Sequence, residues 1–293
     1  MSISQINPHP LPVYSDYQRE ALIGELLLEM GKLTRDELDR INILQQTSGM
    51  RFGETARKLG LVMEADILEA LAVQFGYPCL QAGQKAFSQD LVAAYQPYSQ
   101  RVEALRALRS QLVLRWFHRG NKVLAVVAAN PGDGCSNLAA NLSVVFAQLG
   151  ERTLLIDANL RDPSQRDIFN LNQRKGLSDI LIGRADMDVI TKIESLAGLS
   201  VLGAGTVPPN PQELLGRNGF DALINKARDQ YDVVIVDTPP AVLTSDAQAV
   251  AARCGGALLV SRLNQTRMAD LANVRDQLLI CDVQVVAAIV NDL

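Results

Sequence analysis

The chain lacks several things that would each settle a class of function. It has no apolar run long enough to span a bilayer; the most continuous one, Val123 to Ala129, has the length of a buried strand. Membrane association is therefore expected only through a partner. It lacks paired cysteines: Cys79, Cys135, Cys254 and Cys281 form no CxxC motif, and no secretory signal precedes them. They read as reduced thiols of a cytoplasmic protein. Its two histidines, His9 and His118, lie far apart, which excludes a zinc site of the usual His/Cys type. It also lacks excess positive charge. A formal net charge of -4 argues against nonspecific nucleic-acid binding, so no nucleic-acid partner is expected.

What is present is apolar substance. Hydrophobic residues make up 48% of the 293 and charged residues 20%, enough for a sizeable core. Residues 1–20 hold Pro8, Pro10 and Pro12 with little periodicity and read as a flexible tail. Residues 21–80 contain an internal repeat. Ile23-Gly24-Glu25 recurs as Phe52-Gly53-Glu54, an offset of 53 − 24 = 29, and the same offset carries Gly31 to Gly60, Leu33 to Val62, Leu38 to Ile67 and Gln45 to Gln74. Each copy reads as helix, glycine stop, helix, with a capping box from Thr34 and Glu37. A small all-helical domain is expected, its two copies buried against each other. Residues 81–100 show no strong period and read as a linker. A charged helix over 101–116 follows.

From Lys122 onward β-branched runs alternate with helical stretches. The expected strands are Val123–Ala129, Thr153–Ile156, Leu199–Leu202, Val233–Val236, Ala257–Val260 and Val283–Val290, with a helix over Ser136–Leu149. Such alternation predicts an α/β fold: a P-loop NTPase-type, mainly parallel sheet with helices on both faces. Ligands of such sheets bind beyond the C-terminal strand ends.

Three strands end in polar turns. The first continues into Asn130-Pro131-Gly132-Asp133-Gly134-Cys135-Ser136. Its glycines allow close backbone approach to a phosphate, and Ser136 sits where a P-loop hydroxyl meets Mg²⁺. The second ends at Asp157, before Ala158-Asn159-Leu160-Arg161. The third ends at Asp237, before Thr238-Pro239-Pro240. Asp237 would hold the metal or its water; Asp157 could hold metal or accept a proton from an attacking hydroxyl. Any one such turn is as easily a plain strand terminus. Three in this order point to a nucleotide site. One residue is out of place: Cys135 stands where the pattern GxxxxGK[ST] has lysine, and Ala129 replaces the first glycine. A thiol supplies no positive charge at neutral pH, and read by itself Cys135 is a tolerated small residue without a redox role.

With Glu103-x-x-Arg106-x-x-Arg109, Pro131-Gly132-Asp133-Gly134, Asp157 to Arg161, Pro208 to Leu215 and Asp237-Thr238-Pro239-Pro240, residues 101–293 resemble the bacterial tyrosine kinases (BY-kinases), and within them the exopolysaccharide chain-length determinant kinases of EpsG type. The resemblance implies ATP and Mg²⁺ as cofactors. Gly132, Asp133, Gly134, Cys135, Ser136, Asn137 and Asn291 would bind the nucleotide, Ser136, Asp157 and Asp237 the metal, with Asp157 and Asp237 catalytic. It also implies a homo-oligomer formed through Glu103, Arg106 and Arg109, although charges so spaced often only solvate a helix face. A transmembrane polysaccharide co-polymerase would recruit the chain to the inner face of the cell membrane, and the activity would control polymer length and export.

Two further departures accompany Cys135. Asn159 replaces the second aspartate of the family's DxD turn. None of the six tyrosines, Tyr14, Tyr17, Tyr77, Tyr95, Tyr98 and Tyr231, belongs to the C-terminal cluster such kinases phosphorylate. A non-catalytic pseudokinase scaffold is thus the alternative to a kinase, and a partition-type ATPase a more distant one. The 29-residue repeat resembles the N-terminal domain of MshE-type secretion and pilus ATPases. That resemblance implies cyclic di-GMP as a ligand, with Arg51 keeping the arginine of the motif and Leu22 replacing it in copy one; a helical module that docks only protein is the equal alternative.

Overall fold

The computed structural model describes residues 16–74 and 86–292. The expected tail lies, up to residue 15, outside the described residues. The chain divides into two compact units, residues 1–77 and 78–293.

Among the described residues the first unit holds four helices: α1 (Asp16–Glu29), α2 (Arg35–Ser48), α3 (Phe52–Lys58) and α4 (Glu64–Gln74). The repeat is visible in its joints. Gly31 and Gly60 both take left-handed backbone, φ +68° and +66°, where α1 and α3 end. Thr34 and Glu37 form the capping box at α2, Thr34 N–H donating to Glu37 Oε2 at 2.8 Å. Twenty-nine residues on (34 + 29 = 63, 37 + 29 = 66), Met63 N–H donates to Asp66 Oδ2 at 2.9 Å. Each copy is completed by the other: α1 packs mainly on α4, and α2 on α3. Repeat-related pairs fill the core, Leu27 with Ala56 and Ile41 with Ala70, all without exposed surface.

The second unit begins with a segment expected to be a linker. Residues 81–85 lie outside the described residues. From residue 86 onward the expectation fails: Leu91, Ala93 and Ala94 are fully buried in the core, and Val92–Tyr95 form a single turn, α5. Their apolar run is too short to show a period, and what buries it lies far along the chain.

Next come α6 (Gln100–Arg115) and β1 (Val123–Ala128), then α7 (Cys135–Ala147), β2 (Thr153–Asp157), α8 (Gln165–Ile168) and α9 (Leu177–Leu181). They are followed by β3 (Thr191–Lys192), β4 (Leu199–Leu202), α10 (Pro211–Leu215) and α11 (Asn218–Gln230). The chain finishes with β5 (Val233–Asp237), α12 (Asp246–Cys254), β6 (Gly256–Arg262), α13 (Met268–Ile280) and β7 (Gln284–Asn291). The strands order as β3-β4-β2-β5-β1-β6-β7, all parallel except β3. All six expected strands are present. The seventh, β3, has two residues and carried no sequence signal. On β1, Leu124, Val126 and Ala128 enter the core under α7, while Val123, Ala125 and Val127 enter the opposite one with α11 and α12. Both faces are covered, which is why the central strands are apolar throughout.

The order β2-β5-β1 sets the three polar turns side by side at the C-terminal edge. One close contact fixes the far end of the sheet. Trp116, the single tryptophan, donates from Nε1 to Val123 O at 2.9 Å and packs its ring against Gly256. A Cβ at 256 would lie 2.4 Å from Trp116 Cζ2. Gly256→Ala should therefore destabilise the sheet unit by about 3 kcal/mol, the upper end for overpacking. Tryptophan fluorescence, reporting from the contact itself, would show the transition at lower denaturant.

Candidate functional site

The phosphate loop leaves β1 and enters α7. Gly132 and Gly134 take φ of +83° and +85°, a conformation that a side chain would strain, and Asp133 N–H between them turns back to Asn130 O at 3.4 Å. Gly134 caps α7, whose first turn offers unpaired N–H groups and the positive end of the dipole. The loop is braced from outside. Asp133, expected at the ligand, is only 2% exposed, and its carboxylate accepts from Asn130 N–H at 2.9 Å and Thr266 Oγ1 at 2.7 Å. Asn291 donates to Asp133 O at 3.2 Å and Arg262 to Gly132 O at 3.0 Å. These contacts fix the loop before any ligand arrives. Nothing in the sequence pattern marks Thr266 or Arg262.

Cys135 points inward rather than toward the loop's mouth. Its Sγ donates to Val126 O at 3.2 Å, a carbonyl it shares with Thr238 Oγ1 at 2.8 Å. Burial, and then the nearby Asp237 carboxylate, push its thiol well above the usual range. It stays protonated and inert, neither a cation nor a redox centre.

Asp157 and Asp237 are neighbours in register on β2 and β5, and both are fully buried. Asp157 accepts from three backbone N–H groups, Asn159 at 3.1 Å, Ser164 at 3.2 Å and Gln165 at 3.0 Å. Asp237 is less well served. Gln165 Nε2 donates to its Oδ2 at 2.8 Å and also to Ser136 O at 3.0 Å, whereas Oδ1 is buried without a hydrogen bond of ordinary geometry. Burial pushes Asp237 up to about 6, against the lowering effect of the Gln165, Ser136 and Cys135 side chains. Burial, then Asp237, push Asp157 well above the carboxylate range. Gln165, which touches both strands' carboxylates, is the residue that sequence reasoning missed. Asn159 closes a turn, donating to Asp162 O at 2.7 Å and accepting from Asp162 N–H at 3.1 Å.

Above these groups opens a cavity of about 490 Å³, lined by residues 130–137, Asn159, Arg161, Asp162, Thr238 to Pro240 and others. Asp90, Asp133, Asp162 and Asp167 line it, against one cation, Arg161, which is held by Asp246 at 2.7 and 3.3 Å. A second cavity of about 510 Å³ lies beside it and shares Asp90 and Asn137; α6 and the end of β7, with Asn291, form its other walls. The structure thus brings Gly132, Asp133, Gly134, Cys135, Ser136, Asn137, Asp157, Asp237 and Asn291 to one edge of the sheet. The helix of Glu103, Arg106 and Arg109 is different. Arg106 pairs with Glu103, and Arg109 donates to Val145 O at 2.6 Å, within the same chain.

No family model matches the chain. Individual proteins do. A Bacillus subtilis protein, the tyrosine-protein kinase YwqD, is 35% identical over 202 residues, covering 69% of this chain and 85% of that protein. The chain belongs to the bacterial tyrosine-protein kinase family. The tyrosine-protein kinase Etk of Escherichia coli is 34% identical over 200 residues but far longer: the aligned part is 68% of this chain and 28% of Etk. The solved kinase domain of Etk superposes with a TM-score of 0.68 at 33% identity, over 73% of this chain and 84% of that domain. The chimerical protein CapA2B2 gives 0.67 at 30%, over 77% and 98%. The septum site-determining protein MinD of Pyrococcus horikoshii, solved with Mg-ADP, shares the fold at 22% identity and a TM-score of 0.51. Among the described residues no helix is long and apolar enough to cross a membrane.

Asp237 generates a testable pH dependence. Its folded value of about 6 lies above the ordinary 3.8, so the folded state holds the proton more tightly. Its contribution to stability is therefore full below about pH 4 and is lost as pH rises through about 6. At about 1.4 kcal/mol per unit, roughly 3 kcal/mol is forfeited at pH 7. Asp237→Asn should raise the melting temperature at pH 7.5 and flatten its fall between pH 4 and 6, as followed by circular dichroism without added metal.

Proposed function

We propose that the chain is an ATP- and Mg²⁺-binding, tyrosine-kinase-like regulator of exopolysaccharide chain length and export, acting with a transmembrane co-polymerase at the cytoplasmic face of the membrane. The observation that carries the nucleotide reading is the buried Asp157–Asp237 pair, with Asp237 Oδ1 lacking a hydrogen bond of ordinary geometry, beside a glycine turn that enters the N-terminus of α7. Carboxylates so placed call for a cation. A cavity lined by four aspartates and one arginine cannot receive a polyphosphate by itself. Mg²⁺ meets both demands. Ser136 and Asp237 would hold it, with Asp157 ordering the turn behind. Bound there, the ion would neutralise phosphate charge. The loop N–H groups of residues 132–137 would hold the phosphates. The neighbouring cavity by Asn291 would take the nucleoside. Glu103, Arg106 and Arg109 are proposed to join copies, their present internal pairings being exchanged on assembly.

One observation favours a second reading, a non-catalytic scaffold that binds nucleotide and assembles. Cys135 turns its thiol to Val126 O and offers the phosphates nothing. At the helical unit, cyclic di-GMP would rest on the exposed Arg51 alone, since Leu22 carries no charge.

Calorimetry with ATP, with and without Mg²⁺, tests the shared part of both readings. Binding should require the ion; equal affinity in EDTA would exclude the proposed site. Cys135→Lys should tighten ATP binding by about 10- to 100-fold, the worth of one charge-assisted bond. Labelled ATP added together with the co-polymerase separates kinase from scaffold. Labelled tyrosine in either protein supports the kinase, and its absence with binding intact leaves the scaffold.

A further inference from the structure

Residues 86–95 cross between α7 and α8 and hold both. Asn141, on α7 and 4% exposed, accepts from Ala93 N–H at 2.8 Å and donates to Asp90 O at 2.9 Å and to Asn137 O at 2.8 Å. Gln148, at the end of α7, donates to Ala93 O at 3.0 Å. Toward α8, Ser88 N–H donates to Ile168 O at 2.8 Å, and the rings of Phe87 and Phe169 meet edge-on with centroids 5.7 Å apart. Tyr95 closes the segment, its hydroxyl accepting from Phe87 N–H at 2.8 Å and donating to Phe87 O at 3.1 Å. Ser88 and Asp90 then form part of the wall of the 490 Å³ cavity.

The two helices so joined carry the groups that meet Asp237. Ser136 lies in the first turn of α7, and Gln165 opens α8 while donating to both Asp237 and Ser136 O. Whatever fixes the spacing of α7 and α8 fixes this cluster. The segment's hydrogen bonds to the two helices come from side-chain amides and one backbone group, not from a strand ladder, and Leu91, Ala93 and Ala94 are buried beside them.

We propose that residues 86–95 are a strap that sets the spacing of α7 and α8, with Asn141 as its positioning residue. For its ligand the proposal rests on the nucleotide reading above.

Hydrogen exchange on the full chain tests it. Without ligand, Asn141→Ala should speed exchange in residues 86–96 and equally in 130–137 and 164–169. ADP with Mg²⁺ should slow all three in the wild type and bind about tenfold more weakly to the variant, the lower end of the cost of losing a supporting partner. Gln148→Ala, which removes one bond at a helix end, should show the same pattern more weakly and serves if Asn141→Ala does not fold. Faster exchange confined to residues 86–96, with 130–137 and 164–169 at wild-type rates, would overturn the strap. No heat from ADP and Mg²⁺ on the wild type would overturn the nucleotide reading instead, and the ligand-free exchange would still decide the strap.

Discussion

Two carboxylates side by side inside a parallel sheet are the constraint on which the site depends. Asp157 and Asp237 face the same buried edge in register, and among the described residues no lysine or arginine is hydrogen-bonded to either. Burying one such charge is costly, and burying two together multiplies the cost. The chain spends much of its local structure on the problem. Three backbone N–H groups bend round to Asp157, and a buried glutamine is given over to Asp237. One oxygen is still left over. A fold does not keep such a pair for stability, since an apolar pair of like shape would serve better. The pair makes sense as the protein half of a site whose other half is positive.

That site was legible because its backbone demands are strict. Only glycine adopts the loop's left-handed turns readily at positions 132 and 134, and a carboxylate at the tip of an apolar strand stands out against what precedes it. The six strands were legible for the same reason: fully buried strands must be apolar at every residue. What was not legible came from distance. Gln165 reaches Asp237 across 72 residues, and Asn141 reaches Ala93 across 48. Side-chain amides leave no periodic trace. Thus the strap looked like a linker, because its apolar run is too short to show a period and its burial is supplied by another helix. β3 was missed because two residues cannot show a period.

The helical unit illustrates the opposite case. Its repeat was read from a handful of identities, yet the structure preserves more than those. Met63 and Asp66 resemble Thr34 and Glu37 little in sequence, but both pairs close the same backbone N–H at the start of a helix. The positive-φ glycines at 31 and 60 fix where the helices stop. The core is uneven between the copies: where one has Leu27 and Ile41 the other has Ala56 and Ala70, all buried in one cluster. Two copies with equal large residues at these places would overfill the centre. The divergence of the repeat is therefore part of its packing.

Cys135 is where sequence and structure sharpen one another. The sequence showed only a missing lysine. The structure shows where the side chain went: to a carbonyl of β1, beside Thr238, under the loop. A buried, protonated thiol there keeps the loop's shape without adding charge. The loop's backbone is held from the other side by Asp133, Thr266, Arg262 and Asn291, without a charge at residue 135. Binding geometry and catalytic charge are thus separable in this chain. The lysine's loss removes stabilisation that matters most when charge moves between phosphates, and removes less from a phosphate merely held. On the function proposed above, a site built this way would still hold nucleotide, and phosphoryl transfer would have to draw its cation from the metal or from another molecule.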